Sequence, residues 1–138
     1  VGAIIVLADD EPDLRSIYAA CLRKEGYEVW EASDGREALE LVGAHHPTLL
    51  LLDVWMPILN GLEVVEHLRS DPLSGLVRVV MLSNLGDSDT RLEGFSAGVS
   101  DYWVKGLPLE ELSRRVKLLV SEPHPACDLA ESPAISGG

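Results

Sequence analysis

Asp9, Asp10, Asp53, Ser83 and Lys105 are the side chains whose types and positions could do chemistry together. Asp9 and Asp10 follow the apolar run from Ala3 to Ala8, and Asp53 follows four consecutive leucines. Ser83 closes the run from Val77 to Leu82, and Lys105 closes the short one from Tyr102 to Val104. Two like charges about 4 Å apart repel by roughly 4 kcal/mol at an effective dielectric of 20, so ionised carboxylates share a cleft only with compensation. A hard divalent cation supplies it, and an octahedral set of two carboxylates, a backbone carbonyl and waters suits Mg²⁺. A lysine and a hydroxyl opposite would complete a pocket for a tetrahedral anion such as a phosphoryl group. An aspartate can itself be the nucleophile, giving an acyl phosphate.

Those residues need elements to bring them together. The runs 3–8 and 49–52 are too short for helices and apolar throughout, as in strands buried on both faces. Shorter strands are expected at Tyr27–Glu31, Val77–Leu82 and Tyr102–Val104. Between them lie helical patterns. Asp10-Glu11-Pro12 reads as a helix start, followed by an apolar stripe of Leu14, Ile17, Tyr18, Cys21 and Leu22 that ends at Gly26. Asp34 is a plausible cap for a helix carrying Ala38, Leu39, Leu41 and Val42. Leu62, Val65 and Leu68 mark the next helix, residues 87–97 another that Gly98 stops, and Leu109, Leu112, Val116 and Leu119 the last.

Five strands alternating with five helices predict an α/β domain: a doubly wound five-stranded parallel sheet, order 2-1-3-4-5, with helices on both faces. In that flavodoxin-like arrangement, ligands bind outside the carboxyl ends of the strands where the order reverses, so the five polar residues converge. The domain is expected over 1–120, and the proline-containing segment 121–138 reads as a disordered tail or linker.

Composition narrows the function. The chain has 138 residues, 46% hydrophobic and 25% charged, which fits one globular domain. Its net charge of −12 repels phosphate backbones, so direct nucleic-acid binding is disfavoured. No apolar run approaches the roughly 20 residues that cross a bilayer, so no membrane role and a cytoplasmic location are expected. Cys21 and Cys127 form no ligand spacing or disulfide framework and read as free thiols. His45-His46 reads as a solvated loop, and Arg114, Arg115 and Lys117 as a charged helix face.

Four separated motifs, DDEPD at 9–13, DVWMPILNG at 53–61, MLSN at 81–84 and DYWVKG at 101–106, occur in an order that resembles the receiver domain of two-component response regulators. The resemblance spans about residues 3–120. It implies that Asp53 accepts phosphate from a phosphohistidine on a sensor histidine kinase or a histidine phosphotransfer protein. Asp10 would ligate Mg²⁺ directly, Asp9 mostly through water, and the backbone carbonyl of Trp55 would be a further ligand. Lys105 would bind one phosphoryl oxygen and Ser83 another, and the ring of Tyr102 would move inward with Ser83. Pro57 and Gly61 would shape the loop after the acceptor. The expected helix 87–97, the last strand and the last helix would present the changed state to a downstream protein or a fused output domain, with a homodimer as one outcome. Such a domain assists its own phosphorylation and dephosphorylation without being a conventional enzyme.

Three positions depart from the family pattern. Gly106 replaces the usual proline after the lysine, which favours a trans bond and a less rigidly held Lys105. Asn84 is larger than the usual residue after the switch hydroxyl. Trp55 and Leu85, two residues beyond Asp53 and Ser83, are apolar and cannot orient an attacking water, so the phosphoryl group is expected to decay slowly. A half-life of seconds would count against that.

Other readings fit the residues less well. A flavin-binding module would need a phosphate-cradling loop after the first strand, where this chain is acidic. A haloacid-type phosphatase would need a second acid where Trp55 stands. A receiver-like docking or dimerisation module without phosphate turnover is the remaining alternative.

Overall fold

The computed structural model describes residues 3–71, 77–83 and 99–121. The elements run β1 (Ile4–Ala8), α1 (Pro12–Lys24), β2 (Glu28–Ala32), α2 (Gly35–His45), β3 (Leu49–Asp53), α3 (Gly61–Ser70), β4 (Arg78–Ser83), β5 (Asp101–Val104) and α4 (Leu109–Ser121). The five strands form one parallel sheet in the order β2-β1-β3-β4-β5. The predicted order is therefore observed. Its reversal lies between β1 and β3, which carry Asp9 and Asp53 at their carboxyl ends.

β3 explains why the sheet needs helices on both sides. Successive side chains of a strand point to opposite faces. Leu50 and Leu52 join the core that contains Val42, Val65 and Leu68 from α2 and α3. Leu49 and Leu51 join the core that contains Tyr18, Leu22, Leu112 and Val116 from α1 and α4. All four leucines are fully buried, so a polar residue at any of them would lose both water and packing.

The helix ends follow local chemistry. Pro12 stands in the first turn of α1, where its missing N–H leaves no bond unmade. The Asp34 side chain accepts the Glu37 N–H at 2.8 Å. Asn60 and Glu63 form a reciprocal capping box at the start of α3.

Several expectations need correction. Ile17 is not part of the buried stripe of α1 but is 51% exposed. The buried arc holds Tyr18, Ala19 and Leu22, with Leu14 and Cys21 partly covered. Ile17 lies about 100° round the helix from Tyr18, on the side away from Ala19. β2 and β4 each begin one residue later than predicted, while Tyr27 and Val77 pack as apolar residues flanking them. α3 buries Val64 beside Val65 and Leu68, while Leu62 is only partly buried. The expected helix 87–97, Asn84, Leu85, Gly98, Cys127 and the tail beyond 121 lie outside the described residues.

At the outer strand β2, Arg23 reaches back from the end of α1. Its Nη2 donates to the Val29 carbonyl at 2.7 Å, and its Nη1 pairs with Glu31 at 3.0 Å. No described helix is long and apolar enough to cross a membrane.

Candidate functional site

The parallel register brings the polar ends of the strands together. Asp9 leaves β1 and donates its N–H to the Ala32 carbonyl at 3.0 Å, so it continues the ladder with β2. Asp53 is the last residue of β3 and stands opposite Leu82; the next N–H, that of Val54, donates to the Leu82 carbonyl. Ser83 ends β4, and its carbonyl accepts the Lys105 N–H at 2.8 Å. The five residues singled out by spacing therefore meet at one end of the sheet.

Asp9 is 1% exposed and Asp53 is 2% exposed, whereas Asp10 faces outward. Each of the three offers an oxygen within 4.8 Å of the others. The Lys105 side chain, 8% exposed, reaches them with Nζ 3.0 Å from Asp53 Oδ2 and 3.3 Å from Asp9 Oδ1. Its shortest contact is with Glu11 Oε1 at 2.8 Å. The pair with Asp53 Oδ2 is an ion contact without hydrogen-bond alignment, so Asp53 Oδ2, like Asp9 Oδ2, is buried without a hydrogen-bond donor.

These charges perturb one another. Burial pushes the Asp53 carboxyl up from 3.8 to about 7; the Asp9 charge adds to this, while Lys105 and the Trp55 N–H oppose it. Burial alone would lower the Lys105 pKa, but the hydrogen bond it donates to Glu11 and the nearby Asp53 and Asp9 charges raise it, so the ammonium stays protonated. Three acids against one buried cation leave the cleft short of positive charge.

The backbone around the acceptor is fixed from several sides. Asp53 Oδ1 accepts the Trp55 N–H at 3.2 Å. The Trp55 side chain is 55% exposed beside it. A γ-turn follows, with the Leu59 N–H donating to the Pro57 carbonyl at 2.8 Å across Ile58, whose φ of 71° is strained for a β-branched residue. Gly61 then passes so close that a Cβ there would lie 2.6 Å from the Asp53 carbonyl oxygen and 3.0 Å from Met81 Cε. Only glycine fits.

Sequence reasoning missed three supporting residues. Arg15, which the sequence did not single out, donates from Nη1 to the Asp9 carbonyl at 2.8 Å and from Nε to Glu31 at 3.1 Å. Tyr18, read as core, accepts the Gly106 N–H at 3.2 Å and donates to the Leu107 carbonyl at 3.4 Å. Glu11, read as a helix-start acid, contacts Lys105 instead. None has a signal in spacing, because each acts across 88 residues or more or through a backbone atom. The Lys105–Gly106 bond is trans, as expected, and Gly106 takes a φ of 88° with open space where a Cβ would stand. Tyr102 is buried in the α2 and α3 core.

The donor set fits Mg²⁺. Two buried carboxylate oxygens have no hydrogen-bond donor, all the donors are hard oxygens, and one exposed acid leaves a side open to water.

The family model described as the response regulator receiver domain matches residues 5–117. Over 138 residues the chain is 32% identical to the phosphate regulon transcriptional regulatory protein PhoB of Pseudomonas aeruginosa, covering 100% of this chain and 59% of that protein. It is 35% identical over 130 residues to the transcriptional regulatory protein SrrA of Staphylococcus aureus, covering 87% of this chain and 53% of that one. The solved structure of the chemotaxis response regulator CheY4 of Vibrio cholerae aligns with a TM-score of 0.80 at 28% identity, over 86% of this chain and 99% of that chain. The chain spans about half the length of the curated relatives it matches.

Proposed function

This chain belongs to the response regulator receiver domain family, a family of signalling domains, and we propose that its switch is the phosphorylation of Asp53. The observation that carries the reading is the buried Asp53 carboxylate held between Asp9 and the Lys105 ammonium, 3.0 Å away.

A bound Mg²⁺, held by Asp10, Asp53, the Trp55 carbonyl and, through water, Asp9, would neutralise the acids and stabilise phosphoryl oxygens during transfer. The chain's own groups do the rest. The Trp55 N–H fixes Asp53 Oδ1, so the carboxylate has one orientation toward the phosphorus. An Asp53 oxygen forms the new O–P bond as the N–P bond of a phosphohistidine breaks, its electron pair passing to the imidazole nitrogen. Lys105 supplies a fixed positive charge to one phosphoryl oxygen, and the Ser83 hydroxyl takes a hydrogen bond to another. Tyr102 then follows Ser83, and the change reaches the outer face of β5 and α4.

Donor and receiver partners follow from that chemistry. The donor is a sensor histidine kinase or a histidine phosphotransfer protein in the cytoplasm. The reader is a downstream protein or a fused output domain, and a homodimer through the same face is one form of readout. The net charge of −12 supports a readout by protein contact rather than by this domain touching nucleic acid. Residues 1–120 form the receiver domain and 121–138 a tail or linker, a division supported by the family match ending at 117. The domain assists its own phosphorylation and dephosphorylation, and the second is slow because the exposed Trp55 ring beside Asp53 cannot orient a water.

Incubation with acetyl phosphate and Mg²⁺, followed by mass measurement, tests the reading. The expected result is a gain of one phosphoryl group that Asp53→Ala abolishes. A chain that gains none, or gains it equally in Asp53→Ala, would overturn it.

A further inference from the structure

We propose that Glu11 is a positioning residue that holds Lys105 while Asp53 is bare and gives the lysine up when a phosphoryl group arrives. Resting on Asp53 as the acceptor, this assigns to Glu11 the setting of the donor concentration at which the switch responds.

An ammonium has three N–H donors, and Lys105 faces three carboxylates: Glu11 at 2.8 Å, Asp53 at 3.0 Å and Asp9 at 3.3 Å. With three carboxylates within 3.3 Å of the ammonium, a phosphoryl oxygen that comes to it draws it away from one of them. Asp9 is buried, and losing the lysine would strand its charge away from water. Asp53 is the group receiving the phosphoryl and stays in the site. The Glu11 side chain is 61% exposed, so its carboxylate exchanges the lysine for water at little cost. Glu11 is the partner that yields.

The rest of the local structure leaves Glu11 free for this task. It occupies the N-cap position of α1, yet its side chain makes no capping bond. Its N–H donates to Asp9 Oδ1 at 2.9 Å, which fixes its backbone beside the cleft. Beyond Lys105, Gly106 offers no side chain to pack against the lysine stem, and its amide is tied to Tyr18. The direction of the ammonium is set by its carboxylate partners, and the nearest is Glu11.

The test uses the full chain, acetyl phosphate and Mg²⁺, with the initial rate of Asp53 phosphorylation measured against donor concentration. Glu11→Gln is expected to lower the half-saturating donor concentration by about two- to fivefold, the scale of one exposed ion pair, with the effect on that concentration rather than on the maximal rate. Glu11→Asp keeps the charge but shortens the reach by one methylene, so it should behave like Glu11→Gln. In a Lys105→Met background, Glu11→Gln should have no further effect. The Lys105 ammonium protons, followed by NMR in the unphosphorylated protein, should exchange faster in Glu11→Gln. If Glu11→Asp matches the wild type, or the effect persists in Lys105→Met, Glu11 acts only through its field and the proposal fails. An unchanged half-saturation in Glu11→Gln also overturns it. A wild type that takes no phosphoryl group on Asp53 sinks the acceptor assignment, and this proposal with it; failure of the Glu11 variants alone leaves that assignment standing.

Discussion

The Tyr18 hydroxyl on α1 lies 3.2 Å from the Gly106 N–H, so the first helix holds the turn that carries Lys105. Burial pushes the Tyr18 pKa upward despite its bonds to Gly106 and Leu107, so the phenol stays protonated and can donate to the Leu107 carbonyl. Tyr18→Phe keeps the ring in the core and removes both bonds. The expected loss is about 1–2 kcal/mol in urea unfolding, with faster exchange of the Gly106 amide and slower phosphorylation by acetyl phosphate. Unchanged Gly106 exchange would show that the bond holds nothing.

The raised pKa of Asp53 gives a pH dependence with a definite sign. The folded carboxyl titrates near 7 and the unfolded one near 3.8, so between those values the folded state binds more protons. Stability from this group is therefore highest below about pH 4, falls as pH rises to 7 and is flat above it. Without metal, Asp53→Asn should be more stable than wild type by roughly 2–4 kcal/mol at pH 8 and by little at pH 4. Mg²⁺ should stabilise the wild type more at pH 8 than at pH 5, because protons compete for the same oxygens. Thermal melts across pH with chelator or Mg²⁺ would check both; equal Asp53→Asn effects at pH 4 and 8 would refute the shift.

Two glycines should respond oppositely to alanine. At Gly61 the added methyl would stand 2.6 Å from the Asp53 carbonyl oxygen, displacing the acceptor strand and costing about 1–3 kcal/mol with loss of phosphorylation. At Gly43, exposed within α2 and with open space around a Cβ, alanine should stabilise by about 0.5–1 kcal/mol and leave phosphorylation alone. Chemical denaturation of both variants measures the contrast.

Arg15 ties the Asp9 carbonyl to Glu31. Arg15→Met keeps the stem and removes both bonds, and is expected to weaken Mg²⁺ binding about tenfold, as losses around metal ligands do. A fluorescence titration with Mg²⁺ reads this, and wild-type affinity in the variant would show that the Asp9 backbone needs no such brace.

The sheet was legible because its signals are local and unambiguous. Four buried leucines ending in Asp53 can only be a central strand, and the strand order then places Asp9, Asp53, Ser83 and Lys105 at one end. The rotation of α1 was less legible, since Ile17 and Ala19 lie symmetrically about Tyr18 and only the sheet decides which is covered. Glu11, Arg15 and Tyr18 were hidden for another reason. Their partners are a distant side chain or main-chain atoms, and neither leaves a mark in residue type or period.

Arg23 has a consequence for how copies of this molecule meet. The Val29 carbonyl points off the flank of β2, where a foreign strand would zip on, and the guanidinium already occupies it. With that carbonyl taken by an intramolecular latch, crowding should drive less sheet-to-sheet growth along this flank.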